Sequence, residues 1–239
     1  ICWSGRGLPS GRCSMADPVL VLRPEPGAAR TAEALRDAGF TPISYPLYAI
    51  EPIAWTPPDP AQVGAVLVTS ANALRHGGPG LARYADRPLF AVGEATAEAA
   101  RQAGFRSVTA GDGDIATTIP LLVRAGHGPV LHLGGTELRD YDPQGLSIIR
   151  LPVYRTVEQG DAAGLARALP RDRGAFALVH SPRAGARLAR LATQEERERI
   201  TIVAISNAAS DACGGGWRDR VVAGRPTEQA LLAGLQMLV

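Results

Sequence analysis

Four short stretches set small residues and a capping side chain directly after an apolar run: Thr69-Ser70-Ala71-Asn72, Gly93-Glu94-Ala95-Thr96, His180-Ser181-Pro182-Arg183 and Ser206-Asn207-Ala208-Ala209. Such a pattern is read as a strand that ends and a helix that begins, with Ser, Thr or Asn at the cap. The first backbone N–H groups of a helix have no partner within it, and an anion there gains about 0.3–1 kcal/mol when exposed. Several helix starts gathered on one sheet edge could hold a polyanion. Taken singly, each reads first as an ordinary N-cap.

Tyr154 is the side chain with the clearest chemical capacity. A tyrosine with an ordinary pKa near 10 is a neutral donor at pH 7, able to hydrogen-bond a leaving oxygen or supply a proton. It stands in an apolar, β-branched run, residues 146–157, whose Pro152 predicts an extended segment and argues against a central strand. Residues 40–50 form a similar piece, in which Gly39, Pro46 and Tyr48 stand where Gly145, Pro152 and Tyr154 stand later. On pattern alone, Tyr154 is also a half-buried strand aromatic. His76, His127, His132 and His180 show none of the spacings of a metal site, so no metal is expected. Gly134-Gly135 lacks the dinucleotide fingerprint and is read as a turn, like Gly214–Gly216. Cys213, with no identifiable base, is read as a packing residue inside a helix.

The elements that must position these residues follow from the periodicity. With 46% apolar and 20% charged residues in a chain of 239, one large or two modest α/β domains are expected. All 25 basic residues are arginine, which excludes Schiff-base lysines and the Walker lysine and suits carboxylate ligands. A net charge of +2 gives no basic stripe for nucleic acid, and no apolar run is long enough for a membrane span. Residues 1–16 are expected to be a disordered extension, with Met15 a natural start and two of the three cysteines, Cys2 and Cys13, lying before it. Beyond it, short apolar runs alternate with helical segments, and the order repeats: Ser70 corresponds to Ser181, Gly93 to Ser206, and residues 108–111 to 221–224. The predicted fold is α/β, with two similar doubly wound parallel-sheet lobes joined by a two-stranded connector, the first lobe discontinuous. Residues 17–44 and 157–239 would form domain 1, residues 47–152 the inserted domain 2, and residues 41–50 and 147–157 the connectors.

Taken in order, Leu22-Arg-Pro, Leu67-Val-Thr-Ser-Ala-Asn-Ala, Ala91-Val-Gly-Glu-Ala-Thr-Ala, Pro152-Val-Tyr-Arg, Ser181-Pro-Arg-Ala and Pro226-Thr-Glu-Gln-Ala-Leu-Leu resemble the uroporphyrinogen-III synthase family over nearly all of residues 16–239. The resemblance implies a cofactor-free enzyme of tetrapyrrole synthesis; with no export signal or membrane span read from the chain, a cytoplasmic monomer is expected. It would close linear hydroxymethylbilane, a tetrapyrrole polycarboxylate, into a macrocycle with loss of water and inversion of the last pyrrole ring. It implies substrate held between two lobes, its carboxylates met largely by backbone amides, with Tyr154 assisting departure of the hydroxyl and Thr96 contributing to the site. The residues matching the binding motifs are Arg23, Ser70, Ala71, Asn72, Gly93, Glu94, Ala95, Ser181, Pro182, Arg183, Ser206, Asn207 and Ala208. Where the family often carries a Gly-Pro-Thr-Thr-like turn, this chain has Ser206-Asn-Ala-Ala-Ser210. The competing reading is a non-catalytic or regulatory polycarboxylate-binding protein of the same fold.

Overall fold

The computed structural model describes residues 17–137 and 140–238; the expected extension, residues 1–16, lies outside the described residues. In chain order the elements are β1 (Val19–Val21), α1 (Gly27–Asp37), β2 (Pro42–Ser44), β3 (Tyr48–Pro52), β4 (Ala65–Val68), α2 (Ala71–His76), β5 (Leu89–Ala91), α3 (Glu94–Gln102), β6 (Val108–Ala110), α4 (Ile115–Ala125), β7 (Val130–Gly135) and β8 (Ile148–Glu158). After them come α5 (Ala162–Ala168), β9 (Ala175–Val179), α6 (Pro182–Leu191), α7 (Gln194–Arg197), β10 (Ile200–Ala204), α8 (Asn207–Asp211), β11 (Asp219–Val222) and α9 (Glu228–Gln236). Two compact units result: one ends at Tyr48 and resumes with Gln159–Val239, and the other is Ala49–Glu158.

The first unit holds a five-stranded sheet in the order β11-β10-β9-β1-β2, every adjacent pair parallel. Parallel sheets need cover on both faces, which is why β9 and β10 are buried along their whole length and apolar but for Thr201. Alternation along β1 divides the side chains: Leu20 joins a core with Leu165, Leu188 and Cys213, while Val19 and Val21 join another with Leu35, Leu231 and Leu235. Buried Arg187 donates to the carbonyls of Gln159 (3.2 Å) and Gly160 (2.8 Å), anchoring the chain where it re-enters this unit.

A six-stranded sheet forms the second unit, in the order β3-β8-β7-β4-β5-β6. From β8 to β6 all adjacent pairs are parallel. One face packs Val66, Val68, Leu131 and Leu133 with Leu74 and Ala97; the other packs Ala65, Leu67 and Val130 with Ile119 and Leu122 of α4. The glycine stops read from the sequence close α1 and α3 with left-handed backbone, at Gly39 (φ +84°) and Gly104 (φ +93°).

Several expectations are corrected. Residues 146–157 were expected to avoid a central position, yet β8 lies between β3 and β7. Pro152 is accommodated by an irregular register: Gly134 pairs with Pro152 and Gly135 with Tyr154, so one step along β7 spans two along β8. Gly134 and Gly135 therefore end a strand instead of forming a turn. In keeping with the helical run there, α4 carries Pro120 inside it, and tertiary burial of Ile119 and Leu122 on the sheet outweighs the one lost backbone donor. Cys213 follows α8 and is not inside it; its buried Sγ donates to the Ala209 carbonyl.

Helices α6 and α8 meet closely at Gly185, where an added Cβ would lie 2.7 Å from the Ala209 carbonyl oxygen and 2.9 Å from Cys213 Sγ. Neither atom belongs to a long, flexible side chain. Gly185→Ala is accordingly expected to destabilise the protein by about 1–3 kcal/mol, read as a lower urea midpoint, despite the better helix propensity of alanine.

Candidate active site

In open parallel sheets, ligands bind outside the carboxyl ends of strands where the strand order reverses. That point in the second unit lies between β4 and β7, since β5 and β6 are added on one side of β4 and β7 and β8 on the other. A crevice of about 330 Å³ opens there. Thr69 and Ser70 enter it from the end of β4, Asp114 and Ile115 from the start of α4, His132 and Gly135 from β7, and Tyr154 from β8.

Each residue arrives for a local reason. Ser70, in extended conformation, caps α2 by accepting from the Asn72 N–H at 3.2 Å, and Asp114 caps α4 by accepting from the Ala116 N–H at 3.1 Å. Two helix starts thus face the crevice, one of them bringing a carboxylate. Gly135 lies under Tyr154: a Cβ there would be 2.8 Å from the tyrosine ring. The ring therefore sits directly on the β7 backbone, a placement that any larger residue at 135 would disturb.

His132 is buried, with 1% of its surface exposed. Its Nδ1 is 2.9 Å from the Tyr141 hydroxyl, and its Nε2 is buried with no hydrogen-bond partner among the described residues. Burial, assisted by the charge of Arg150 on the adjacent strand, pushes the imidazole down to about pKa 4, so it is neutral at pH 7. The guanidinium of Arg150 lies over the Tyr141 ring, 4.3 Å from its centroid.

The first unit has its own reversal point, between β1 and β9, and a crevice of about 470 Å³ beside it. Here Arg23, Thr31 and His180 converge on one carboxylate, while His180 Nδ1 is buried with no hydrogen-bond partner among the described residues. Glu228 accepts from Arg23 (2.8 Å) and from the Thr31 hydroxyl (2.5 Å), and lies 3.0 Å from His180 Nε2. Burial alone would raise the Glu228 carboxyl, but the His180 and Thr31 hydrogen bonds and the Arg23 charge outweigh it and hold the group at about 2. Arg23 faces this crevice already paired.

Among the residues singled out from the sequence, the structure brings Ser70 and Tyr154 together. Gly93 lies just behind them, its added Cβ 3.5 Å from Gly113, which lines the crevice. Ala71, Asn72, Glu94, Ala95 and Thr96 do not line it. Asn72 accepts from Arg75, Glu94 pairs with Arg101 at 2.7 Å, and Thr96 is buried in the first turn of α3. In the first unit, Ser181 and Ser206 cap α6 and α8, their oxygens accepting from Ala184 and Ala209. Arg183 lies over the Tyr48 ring, 4.6 Å from its centroid, and neither it nor Pro182, Asn207 and Ala208 line the crevice holding Arg23. Asp114, His132, Thr31 and Glu228 were missed; the Asp-Ile-Ala cap signal at 114 was available, whereas strand histidines and a first-turn glutamate carry no such sign. Among the described residues, no group of three or more His, Cys, Asp or Glu side chains could hold a metal. No helix among them is long and apolar enough to cross a membrane.

Residues 29–233 match the uroporphyrinogen-III synthase HemD family. The chain belongs to this family. Its role is accordingly that of the cyclising synthase of tetrapyrrole synthesis. The uroporphyrinogen-III synthetase of Helicobacter pylori 26695 has a similar structure, with TM-score 0.68 and 18% identity over 93% of this chain and 100% of that one. A mutant uroporphyrinogen III synthase of the extremely thermophilic bacterium Thermus thermophilus aligns with TM-score 0.50 and 19% identity, over 93% of this chain and 98% of that one. A search of curated protein sequences returned no match. At these identities the structures show a shared fold, and the family match carries the functional assignment.

The unfolded chain binds a proton at His132 near the ordinary pKa of 6.5, but the folded protein binds it only near 4. Between those values the unfolded state holds more protons, so acidification favours unfolding. Stability is expected to fall from pH 6.5 to pH 4 by up to about 3 kcal/mol on this account and then level off. Urea titrations at pH 7 and pH 4.5 check this: His132→Phe should lose less between them than the wild type.

Proposed function

We propose that this chain is a hydro-lyase that expels water from hydroxymethylbilane and closes the macrocycle, with Tyr154 acting on the leaving hydroxyl. The observation that carries this reading is Tyr154 itself, seated on the Gly135 backbone in a crevice flanked by two helix starts. The chemistry asked of the protein is modest. A pyrrole nitrogen pushes electrons toward the hydroxymethyl carbon, the C–O bond breaks, and the oxygen departs as water with a proton that Tyr154 can supply. The resulting azafulvene carbon is then attacked by the substituted carbon of the last ring. A spiro intermediate forms, and its rearrangement inverts that ring.

Holding the flexible chain so that this carbon attacks, and not the unsubstituted one, is the harder task, and it is a matter of orientation more than of acid strength. Backbone N–H groups at the start of α2, whose cap is the neutral Ser70, favour a carboxylate group of the substrate, whereas the start of α4 already holds the Asp114 carboxylate. Thr96, buried in α3 behind the crevice, fits a supporting role in shaping that helix start better than contact with the reacting carbon. In the first unit, Arg23 would meet a substrate carboxylate only by exchanging Glu228 for it. The motif residues there therefore offer backbone groups more than free cations.

Incubating the protein with hydroxymethylbilane generated in situ, and separating the oxidised products by isomer, tests the reading directly. Type III product is expected; type I product alone, from folded protein, would point to the non-catalytic polycarboxylate binder. Tyr154→Phe retains the packed ring and loses one donor. Its rate is expected to drop by about 10- to 1,000-fold with an unchanged circular dichroism spectrum, and an unaltered rate would remove Tyr154 from catalysis.

A further inference from the structure

A buried polar atom without a partner costs free energy, so a protein that keeps one at the wall of its crevice invites a chemical reason. Among the described residues, His132 Nε2 is such an atom. Its other nitrogen is engaged by Tyr141, and the identity of the donor in that contact decides what Nε2 can do. Arg150 stacks on the Tyr141 ring and can only donate, never accept. A nearby cation favours the phenol as the donor in this contact; in that tautomer Nδ1 accepts and the single imidazole proton resides on Nε2. Nε2–H is then a neutral donor one hydrogen bond short, on a side chain lining the crevice that holds Tyr154.

We propose that His132 Nε2–H binds a carboxylate oxygen of the linear tetrapyrrole within the second unit's crevice; this rests on the synthase reading above. Nε2 has almost no accessible surface in the ligand-free protein, so the crevice wall must shift slightly to admit the acceptor, and the bond that then forms is shielded from water. Neutrality suits the position. A charged imidazole would pay for burial beside Arg150, whereas an N–H donor adds direction without a second cation. The same bond would fix one pyrrole ring relative to Tyr154, so His132 contributes to binding and orientation and not to proton transfer.

Three proteins test the inference: wild type, His132→Phe, which keeps a planar ring without the donor, and His132→Gln, whose amide can donate from nearly the same place. Steady-state kinetics with hydroxymethylbilane and anaerobic titration with reduced uroporphyrinogen III are measured alongside thermal midpoints. The Phe variant is expected to show a KM and a product Kd raised about 10- to 100-fold with kcat less affected, and a thermal midpoint no lower than wild type, because Tyr141 is near enough to solvent to find water. The Gln variant should recover most of the affinity. Wild-type turnover combined with unaltered KM and Kd in the Phe variant overturns the inference and leaves the synthase reading intact. Equal weakening of both variants together with a lower thermal midpoint also overturns it, since His132 would then act only through packing. A wild type that neither turns over substrate nor binds product overturns the synthase reading and this inference with it.

Discussion

The parallel pairing of β8 with β7 is the constraint on which the second unit's site depends. Its register sets Arg150 opposite His132 and Tyr154 beside Gly135. A slip of one residue would turn each of these side chains to the other face of the sheet. The irregular step at Pro152 resolves two demands at once. It absorbs a residue without an N–H in an internal strand, and it turns Tyr154 onto the glycine backbone, where no side chain could share the space. Cross-strand geometry thus fixes both the tyrosine and, separately, the His132–Tyr141–Arg150 chain of contacts.

The two sheets solve the same architectural problem and furnish their crevices differently. Each reverses its strand order next to a strand whose carboxyl end leads into a capped helix. In the second unit, Ser70 and Asp114 cap the two helix starts that face the crevice, and His132 Nε2 has no hydrogen-bond partner among the described residues. In the first unit, Arg23, Thr31 and His180 converge on the chain's own Glu228, whose depressed pKa keeps it ionised through most of the acid range. Such a cluster ties β1, α1, β9 and α9 to one another, and breaking one partner would leave the others poorly satisfied. The resemblance to the synthase family led Arg23 to be read as a free substrate contact; the internal carboxylate shows why a motif residue need not be a free one.

Much of the architecture was legible in the chain. Short, wholly apolar runs followed by capped, small-residue starts predicted parallel strands entering helices, and Ser70, Gly93, Ser181 and Ser206 are the N-cap residues of α2, α3, α6 and α8. Gly39 and Gly104 marked the helix ends for the same local reason, since left-handed backbone favours residues without a Cβ. Local rules failed where packing over distance outweighed them. Pro152 did not send β8 to an edge, and Gly134-Gly135 did not turn.

The sequence by itself determined the α/β class, the helix caps, the presence of Tyr154 in an extended segment and the family to which the motifs belong. Those features are encoded within a few residues, by hydrophobic periodicity, cap chemistry and the freedom of glycine. Only the tertiary structure decided which caps open on a crevice, that Arg23 is neutralised by a glutamate more than two hundred residues away, and that His132 is buried with one nitrogen unpaired among the described residues. These depend on strand order, register and burial, which arise from contacts between segments distant in the chain. An isolated histidine in a β-strand carries no trace of the tyrosine and arginine that will surround it.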